Sequence, residues 1–347
     1  LQQNQVHPVL HAQAETSVRA LYKAGESLNT ARSYASALRY WAGWFRLRYR
    51  ADLALPVPVP VVLQFVVDHV ERVEGSARAH DLPPAIDAAL VSAGFKDRIG
   101  PPKLATVILR LSVLSKAHTL QSQPNPVRAP EVQELIRRVR RAHAKRGELP
   151  KPKQALTKDP LEAMLATCND GLIGARDRAL LLFAWASGGR RRSEVTAATM
   201  EQLRLVDPET YLYRMTHSKS DQLGAGSDMD KPLLGVAAAA LTAWLQASKI
   251  THGPIFRRIR GSIVGETLEP QAVRAIVKRR AALAGLKGDY SAHSLRSGFM
   301  TEAGRQNVAL GEAMALTGHR SVQTAVRYFQ SGAVENSRAG NLLGDKQ

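Results

Sequence analysis

Three short stretches in the second half of the chain hold the side chains best suited to chemistry. Gly188-Gly189-Arg190-Arg191-Arg192-Ser193-Glu194 closes an apolar run and opens the next helical pattern, so three guanidinium groups stand at a helix start. Such a cluster is costly to bury without anionic partners. Helix N-terminal amides and guanidinium forks together make a phosphate site, although a surface arginine cluster is an equally good reading of this stretch alone. His293-Ser294-Leu295-Arg296 places an imidazole and a guanidinium on one helical turn, a pairing that also arises by chance. After Leu316-Thr317-Gly318-His319, Tyr328 follows the histidine by nine residues. A single tyrosine on an amphipathic helix is more often a core residue than a nucleophile.

A chain of 347 residues, 44% hydrophobic and 22% charged, most simply holds two domains, each with its own core. Its one cysteine, Cys168, leaves no internal disulfide and no multi-cysteine zinc site, and fits a reducing compartment. No Asp, Glu and His grouping reads as a metal cage, and no cofactor is expected. The longest apolar runs fall short of the roughly 18 residues that a membrane span needs, and the first residues lack the pattern of a secretory signal. With 48 Lys and Arg against 30 Asp and Glu, the net charge of +18 attracts polyanions. Basic residues recur on many core-forming segments, which favours nucleic acid over a membrane surface.

The elements that must position these groups are legible in the apolar spacing. Residues 1–15 read as a mobile tail. From Ser27 to Arg50, Tyr34, Leu38, Trp41 and Phe45 recur at helical intervals, while Arg32, Arg39 and Arg46 repeat every seven residues on another face. A second helix follows the proline-rich Pro56–Pro60 connector, and residues 74–102 form a long excursion with a short helix near Ala85–Ala93. Further helices are expected around Leu104–Leu114 and over Pro130–Lys145. Arg137–Lys153 carries eight basic residues, among them Arg137, Arg141, Lys145 and Lys153, against the single acid Glu148. With Gly147, Pro150 and Pro152 it marks a domain boundary that either lies along phosphates or serves as a solubilising hinge. Beyond it, helices are predicted near Lys158–Thr167 and Arg176–Ala186. Short strands follow at Met200–Leu205, Tyr211–Thr216 and Lys231–Leu234. The last helices are expected near Pro270–Leu283, His293–Arg305, Leu310–Leu316 and Val322–Phe329.

The order and spacing of the three stretches together resemble the tyrosine recombinase (phage integrase) family. The match to its boxes is Arg191 and Glu194, then His293 and Arg296, then His319 and Tyr328, with Lys219 in His217-Ser218-Lys219-Ser220 where the family carries a lysine on a β-hairpin. The first half, through Ser27–Arg50 with Trp41 and Trp44, looks like the helical core-binding domain of the Cre-like branch. The resemblance covers roughly residues 16–345. It implies a mainly α protein with a small antiparallel sheet: a core-binding domain over 16–146, a basic linker over 147–153, and a mixed α/β catalytic domain over 154–347. An exchange tail would start at about residue 332. The two domains would close as a C-shaped clamp on DNA.

By the same resemblance, Tyr328 is the nucleophile, forming a 3′-phosphotyrosine without metal or ATP. Arg191 and Arg296 meet the charge on the phosphorane, Lys219 is the general acid, and His293 is the base toward the tyrosine. His319 bonds a non-bridging oxygen, and Glu194 orients the region of Arg191 and His293. The partners implied are duplex DNA with an inverted-repeat site and a homotetramer on two duplexes. A cytoplasmic, nucleoid-associated protein of bacterial or mobile-element origin is expected. Base reading is expected from Gln271, Arg274 and Lys278 at the start of the Pro270 helix, with plain phosphate contact as the alternative. A silent DNA-binding or architectural protein and a type IB topoisomerase are the competing functions.

A clamp lined by Arg32, Arg39, Arg46 and the Arg137–Lys153 linker displaces many counterions. With about ten phosphate contacts, log K against log[salt] is expected to slope at about −9. Fluorescence anisotropy across a salt series measures it, and a slope near −2 removes the clamp.

Overall fold

The computed structural model describes residues 28–74, 77–148, 153–215, 230–319 and 321–333. They fall into two compact units that divide after residue 150. Among the described residues no helix is long and apolar enough to cross a membrane.

The first unit consists of α1 (Leu28–Tyr49), α2 (Val59–His69), a small hairpin β1 (Arg72–Glu74) and β2 (Ala77–Ala79), α3 (Pro84–Ser92), α4 (Leu104–Leu120) and α5 (Pro130–Lys145). Proline sits in the first turn of α2, α3 and α5, where its missing N–H costs nothing and its fixed φ favours the helix. The buried stripe of α1 is Ala37, Tyr40, Trp41 and Trp44, rotated from the expected Tyr34, Leu38, Trp41 and Phe45. Polar tips explain the rotation. Trp44 Nε1 donates to buried Asp68 at 2.9 Å, and the Tyr40 hydroxyl meets His69 Nε2 at 2.7 Å. Both large rings therefore reach full burial with their polar atoms satisfied. Trp41 stacks on Phe65 with ring centroids 3.7 Å apart. In the 74–102 excursion, the β1–β2 hairpin was not expected; buried Asp87 accepts from the Gly100 amide at 2.7 Å and pairs with Lys96.

The second unit runs α6 (Lys158–Ala166), α7 (Leu172–Ala186), α8 (Arg192–Thr196), β3 (Leu203–Asp207), β4 (Thr210–Arg214), β5 (Asp230–Leu234), α9 (Val236–Ser248), β6 (Arg257–Arg260) and β7 (Ile263–Thr267). It ends with α10 (Pro270–Leu283), α11 (Ala292–Arg305), α12 (Leu310–Thr317) and α13 (Val322–Ala333). The sheet is antiparallel in the order β3-β4-β5 and turns Tyr211, Tyr213 and Leu233 into the core. The fold class is the mainly helical one with small antiparallel sheets. Two elements escape the sequence pattern, α9 and the β6–β7 hairpin. The run Val236–Ala240 is mostly alanine, a strong helix former with too little apolar contrast to show a period.

α7 is buried over most of its surface, including Arg176 and Asp177. Fully buried Asp177 accepts from Arg176 Nη2 and Arg280 Nε, both at 2.8 Å, and from the half-exposed Arg279 at 2.5 Å. Arg280 also donates to the Thr167 carbonyl at 2.7 Å. This carboxylate ties α7 to α10. Asp177→Ala strands two buried guanidinium groups and is expected to cost about 3–5 kcal/mol, read as a lower urea midpoint of the second unit; an unchanged midpoint dismisses the tie.

Candidate active site

The loop between α7 and α8 is shaped by Gly188 and Gly189, whose φ angles are +93° and +72°. A Cβ on Gly188 would lie 2.5 Å from the Leu316 carbonyl oxygen, and one on Gly189 would lie 2.3 Å from the Arg296 Cα. Glycine is thus required both by conformation and by the close approach of α11 and the end of α12. Arg190, which follows, turns inward: it is fully buried and donates to the Leu316 carbonyl at 2.8 Å. Arg191 turns the other way. Its backbone amide donates to Glu194 Oε2 at 3.0 Å and its Nη1 to Oε1 at 2.6 Å, so one buried carboxylate caps the start of α8 and fixes the guanidinium. Glu194 has no described bond to His293; its other charged neighbour is Arg190, at 3.9 Å.

α11 supplies the second pair of groups. Its Gly298 lets residues 154–157 cross the helix closely, since a Cβ would meet the Leu156 carbonyl at 1.9 Å. The Leu156 amide donates to Ser294 at 2.9 Å. Arg296, one turn from the helix start, is buried. Its Nη1 reaches the Gly189 carbonyl at 3.4 Å and its Nε meets His319 Nε2 at 3.3 Å. Nη2 is buried without a hydrogen-bond partner among the described residues. Burial, then the charges of Arg191 and Arg190, lowers the Arg296 pKa to about 10.

Gly318, in the left-handed conformation at φ +68°, ends α12 and directs His319 back over Arg296. Because His319 Nε2 accepts from a guanidinium, its proton lies on Nδ1, which donates to Thr317 Oγ1 at 2.8 Å. Burial, with Arg296 and Arg191 next, lowers its pKa to about 4. His319 is therefore neutral, and as placed here Nε2 is an acceptor. Donating to a phosphate oxygen requires the proton to move to Nε2.

Tyr328 lies on α13 with its hydroxyl 3.2 Å from His293 Nε2. The His293 residue is exposed, yet crowding of its ring by protein, then the charges of Arg296 and Arg191, holds its pKa below the usual 6.5. It is thus neutral and able to accept a proton. α13 is docked on α11: Thr301 Oγ1 donates to the Tyr328 carbonyl at 3.2 Å, and a Cβ on Gly332 would come within 1.8 Å of the Thr301 carbonyl oxygen. Gly332 and Ala333 are the last residues of α13; the tail expected from about residue 332 lies, beyond Ala333, outside the described residues. Tyr290, the other tyrosine near the site in sequence, is buried. Lys219 lies outside the described residues.

Six of the seven catalytic candidates thus come from α8, α11, α13 and the turns before α8 and after α12. Sequence reasoning missed Arg190 as a buried strut, and Lys231, whose Nζ donates to the Ala315 carbonyl at 2.9 Å. The glycine pair was the available signal for the close approach of α11. Among the described residues no three His, Cys, Asp or Glu gather as metal ligands.

The nucleic-acid candidates sit on exposed faces. Arg39 donates to the Gly94 carbonyl at 2.9 Å, Arg46 faces Asp52 at 3.8 Å, and Arg137 pairs with Glu134 at 2.6 Å. Arg32, Arg141 and Lys145 are exposed. On α10, Gln271, Arg274 and Lys278 share the exposed side; Lys278 lies 3.8 Å from Asp289, which also pairs with Lys153.

A model described as the phage integrase family matches residues 154–334, more than half of the chain. The chain belongs to this family. An integrase/recombinase xerD homolog of Selenomonas ruminantium is 27% identical over 355 residues, covering 97% of this chain and 94% of the relative. The tyrosine recombinase XerC of Pseudomonas fluorescens (strain Pf0-1) is 30% identical over 212 residues, covering 58% of this chain and 66% of the relative. The solved structure of XerH site-specific recombinase, in a post-cleavage complex with palindromic difH substrate, shares the fold with a TM-score of 0.56 at 16% identity, covering 90% of this chain and 80% of that one. The protein is a tyrosine-type site-specific recombinase; the silent architectural and topoisomerase readings are not favoured.

In the free recombinase His319 is expected to titrate near pH 4 and His293 below 6.5. Both folded values lie below the unfolded one, so the unfolded chain binds protons first. The stability these groups contribute is complete above about pH 6.5 and is lost as pH falls toward 4. An imidazole NMR titration assigned with single His→Ala variants checks this; His319 titrating at or above 6.5 contradicts the geometry.

Proposed function

We propose that the recombinase cuts and rejoins duplex DNA at an inverted-repeat site through a 3′-phosphotyrosine on Tyr328. The observation that carries this reading is the Tyr328 hydroxyl 3.2 Å from His293 Nε2, beside the buried Arg296 guanidinium, whose Nη2 has no partner among the described residues. His293 takes the phenolic proton as the oxygen attacks phosphorus. The Oη–P bond forms while the P–O5′ bond breaks, and Lys219 protonates the departing 5′ oxygen. Arg191 and Arg296 meet the charge that grows on the equatorial oxygens. Glu194 positions Arg191, and His319 supports a non-bridging oxygen once its proton is on Nε2. The phosphotyrosyl bond keeps the energy of the broken linkage, so rejoining by a 5′ hydroxyl needs neither ATP nor metal.

Residues 16–146 act as the core-binding domain, 147–153 as a basic linker and 154–347 as the catalytic domain, in the Cre-like manner. The Arg32, Arg39 and Arg46 face and the Arg137, Arg141, Lys145 and Lys153 cluster supply phosphate contacts. Gln271, Arg274 and Lys278 on the exposed side of α10 read bases. Strand exchange takes a homotetramer on two duplexes, in a bacterial or mobile-element setting at the nucleoid.

Tyr328→Phe removes one oxygen and leaves the docking of α13 intact. It is expected to bind DNA with unchanged affinity and to form no covalent adduct on nicked suicide duplexes, as judged on denaturing gels. An adduct surviving denaturation in this variant moves the nucleophile elsewhere, and burial already disfavours Tyr290.

A further inference from the structure

The three consecutive arginines that open α8 have three different surroundings. Arg190 is buried against the Leu316 carbonyl, and Arg191 is held by Glu194 in the catalytic cluster. Arg192 is exposed, and neither the chemistry nor the fold accounts for it. Its guanidinium reaches across to α10, where Nη1 donates to Oε1 of Gln271 at 2.8 Å. We propose that Arg192 is a specificity-determining residue that orients the Gln271 amide for reading adenine. This inference rests on the base-reading role proposed above for the start of α10.

Gln271 directly follows Pro270, the first residue of α10, and is exposed. A free glutamine amide presents two nearly equivalent orientations, with Oε1 and Nε2 exchanged. Only one matches the major-groove edge of adenine: the oxygen must accept from N6 and the nitrogen must donate to N7. Arg192 selects between the orientations because a guanidinium only donates, so the atom facing it must be oxygen. A carbonyl oxygen has two lone pairs, which leaves one for adenine N6 and both amide hydrogens for N7. Guanine presents two acceptors, O6 and N7, and a freely turning glutamine can donate to either. With Oε1 held by Arg192, a guanine O6 in the place of adenine N6 meets oxygen with oxygen. The fixed amide therefore rejects guanine, and this discrimination is what a mobile side chain loses.

Arg192 thus acts on the base through Gln271, as a positioning residue. If instead its charge merely touches a phosphate, its loss weakens all sequences alike. The two roles differ in a measurable way.

The test is binding selection from a pool of randomised duplexes, with the full chain carrying Tyr328→Phe so that binding alone is scored, followed by sequencing of the bound fraction. Arg192→Ala, Arg192→Lys, Gln271→Ala and the Arg192→Ala/Gln271→Ala pair are compared in that background, with thermal melts confirming folding. One position of the selected site is expected to prefer adenine over guanine and to lose that preference in Gln271→Ala. A good bidentate contact discriminates by roughly 5- to 150-fold, and Arg192→Ala is expected to reduce the preference by about fivefold or more. The double variant should discriminate no worse than Gln271→Ala alone. Arg192→Lys should restore affinity for the pool but only part of the adenine preference, because the planar fork is gone. If Gln271→Ala erases the preference and Arg192→Ala leaves it intact, the positioning role is overturned while base reading stands. If Gln271→Ala changes no position, base reading by Gln271 falls and the role of Arg192 falls with it.

Discussion

A buried guanidinium with an unspent donor governs the second unit. Arg296 is desolvated on most sides and gives its Nε to His319 and its Nη1 to the Gly189 carbonyl, leaving Nη2 without an acceptor among the described residues. A cation so placed is expensive, and its lowered pKa records that cost. An anion at the site would offset it, and the phosphodiester of the proposed reaction would supply oxygens for the donor as well as charge. Around this demand the other elements are arranged. The glycine pair lets the α7–α8 loop touch the Arg296 backbone, Gly318 returns His319 to the guanidinium, and Glu194 holds Arg191 nearby without neutralising the whole cluster.

The same concentration of positive charge sets the protonation states the chemistry requires. Arg296 and Arg191 add to desolvation in keeping His293 and His319 neutral. A neutral His293 within hydrogen-bonding distance of Tyr328 is a proton acceptor, whereas an imidazolium there would be useless as a base. Neutrality leaves His319 as an acceptor toward Arg296, and in the proposed reaction a phosphate on Nη2 and Nε would free Nε2 to receive a proton. In the proposed reaction these charges stand in place before the anion arrives, which is the form electrostatic catalysis takes.

Packing keeps Tyr328 in register with these groups. α13 packs on α11, where Gly332 allows its backbone to lie directly on Thr301 while the threonine hydroxyl bonds the Tyr328 carbonyl. α11 itself is pinned at Gly298 by the Leu156 strand of chain. Farther out, Asp177 fastens α10 to α7 by neutralising Arg176 and Arg280, so the proposed reading helix is anchored to the same buried helix that leads into the arginine turn.

The amino-acid sequence alone singled out the residues proposed to do the chemistry and most of the elements that carry them. Boxes of fixed spacing placed Arg191, Glu194, His293, Arg296, His319 and Tyr328 at helix starts and on helix faces, because spacing along a helix is a local property. Proline and apolar period likewise marked α2, α3, α5 and α10. Where local signals were weak the reading failed: alanine-rich α9 shows no period, and the β1–β2 and β6–β7 hairpins are too short to alternate visibly. Other outcomes depended on partners distant in the chain. Box spacing picked out Arg191 with Glu194 among three adjacent arginines, but only the positions of Leu316 and Gln271 decide that Arg190 is a strut and that Arg192 reaches α10. Full burial of Trp44 and Tyr40 rather than Phe45 was decided by Asp68 and His69 on another helix. The His319 tautomer was decided by a guanidinium 23 residues away, since the energy of a buried polar atom is set by the partner it finds in three dimensions.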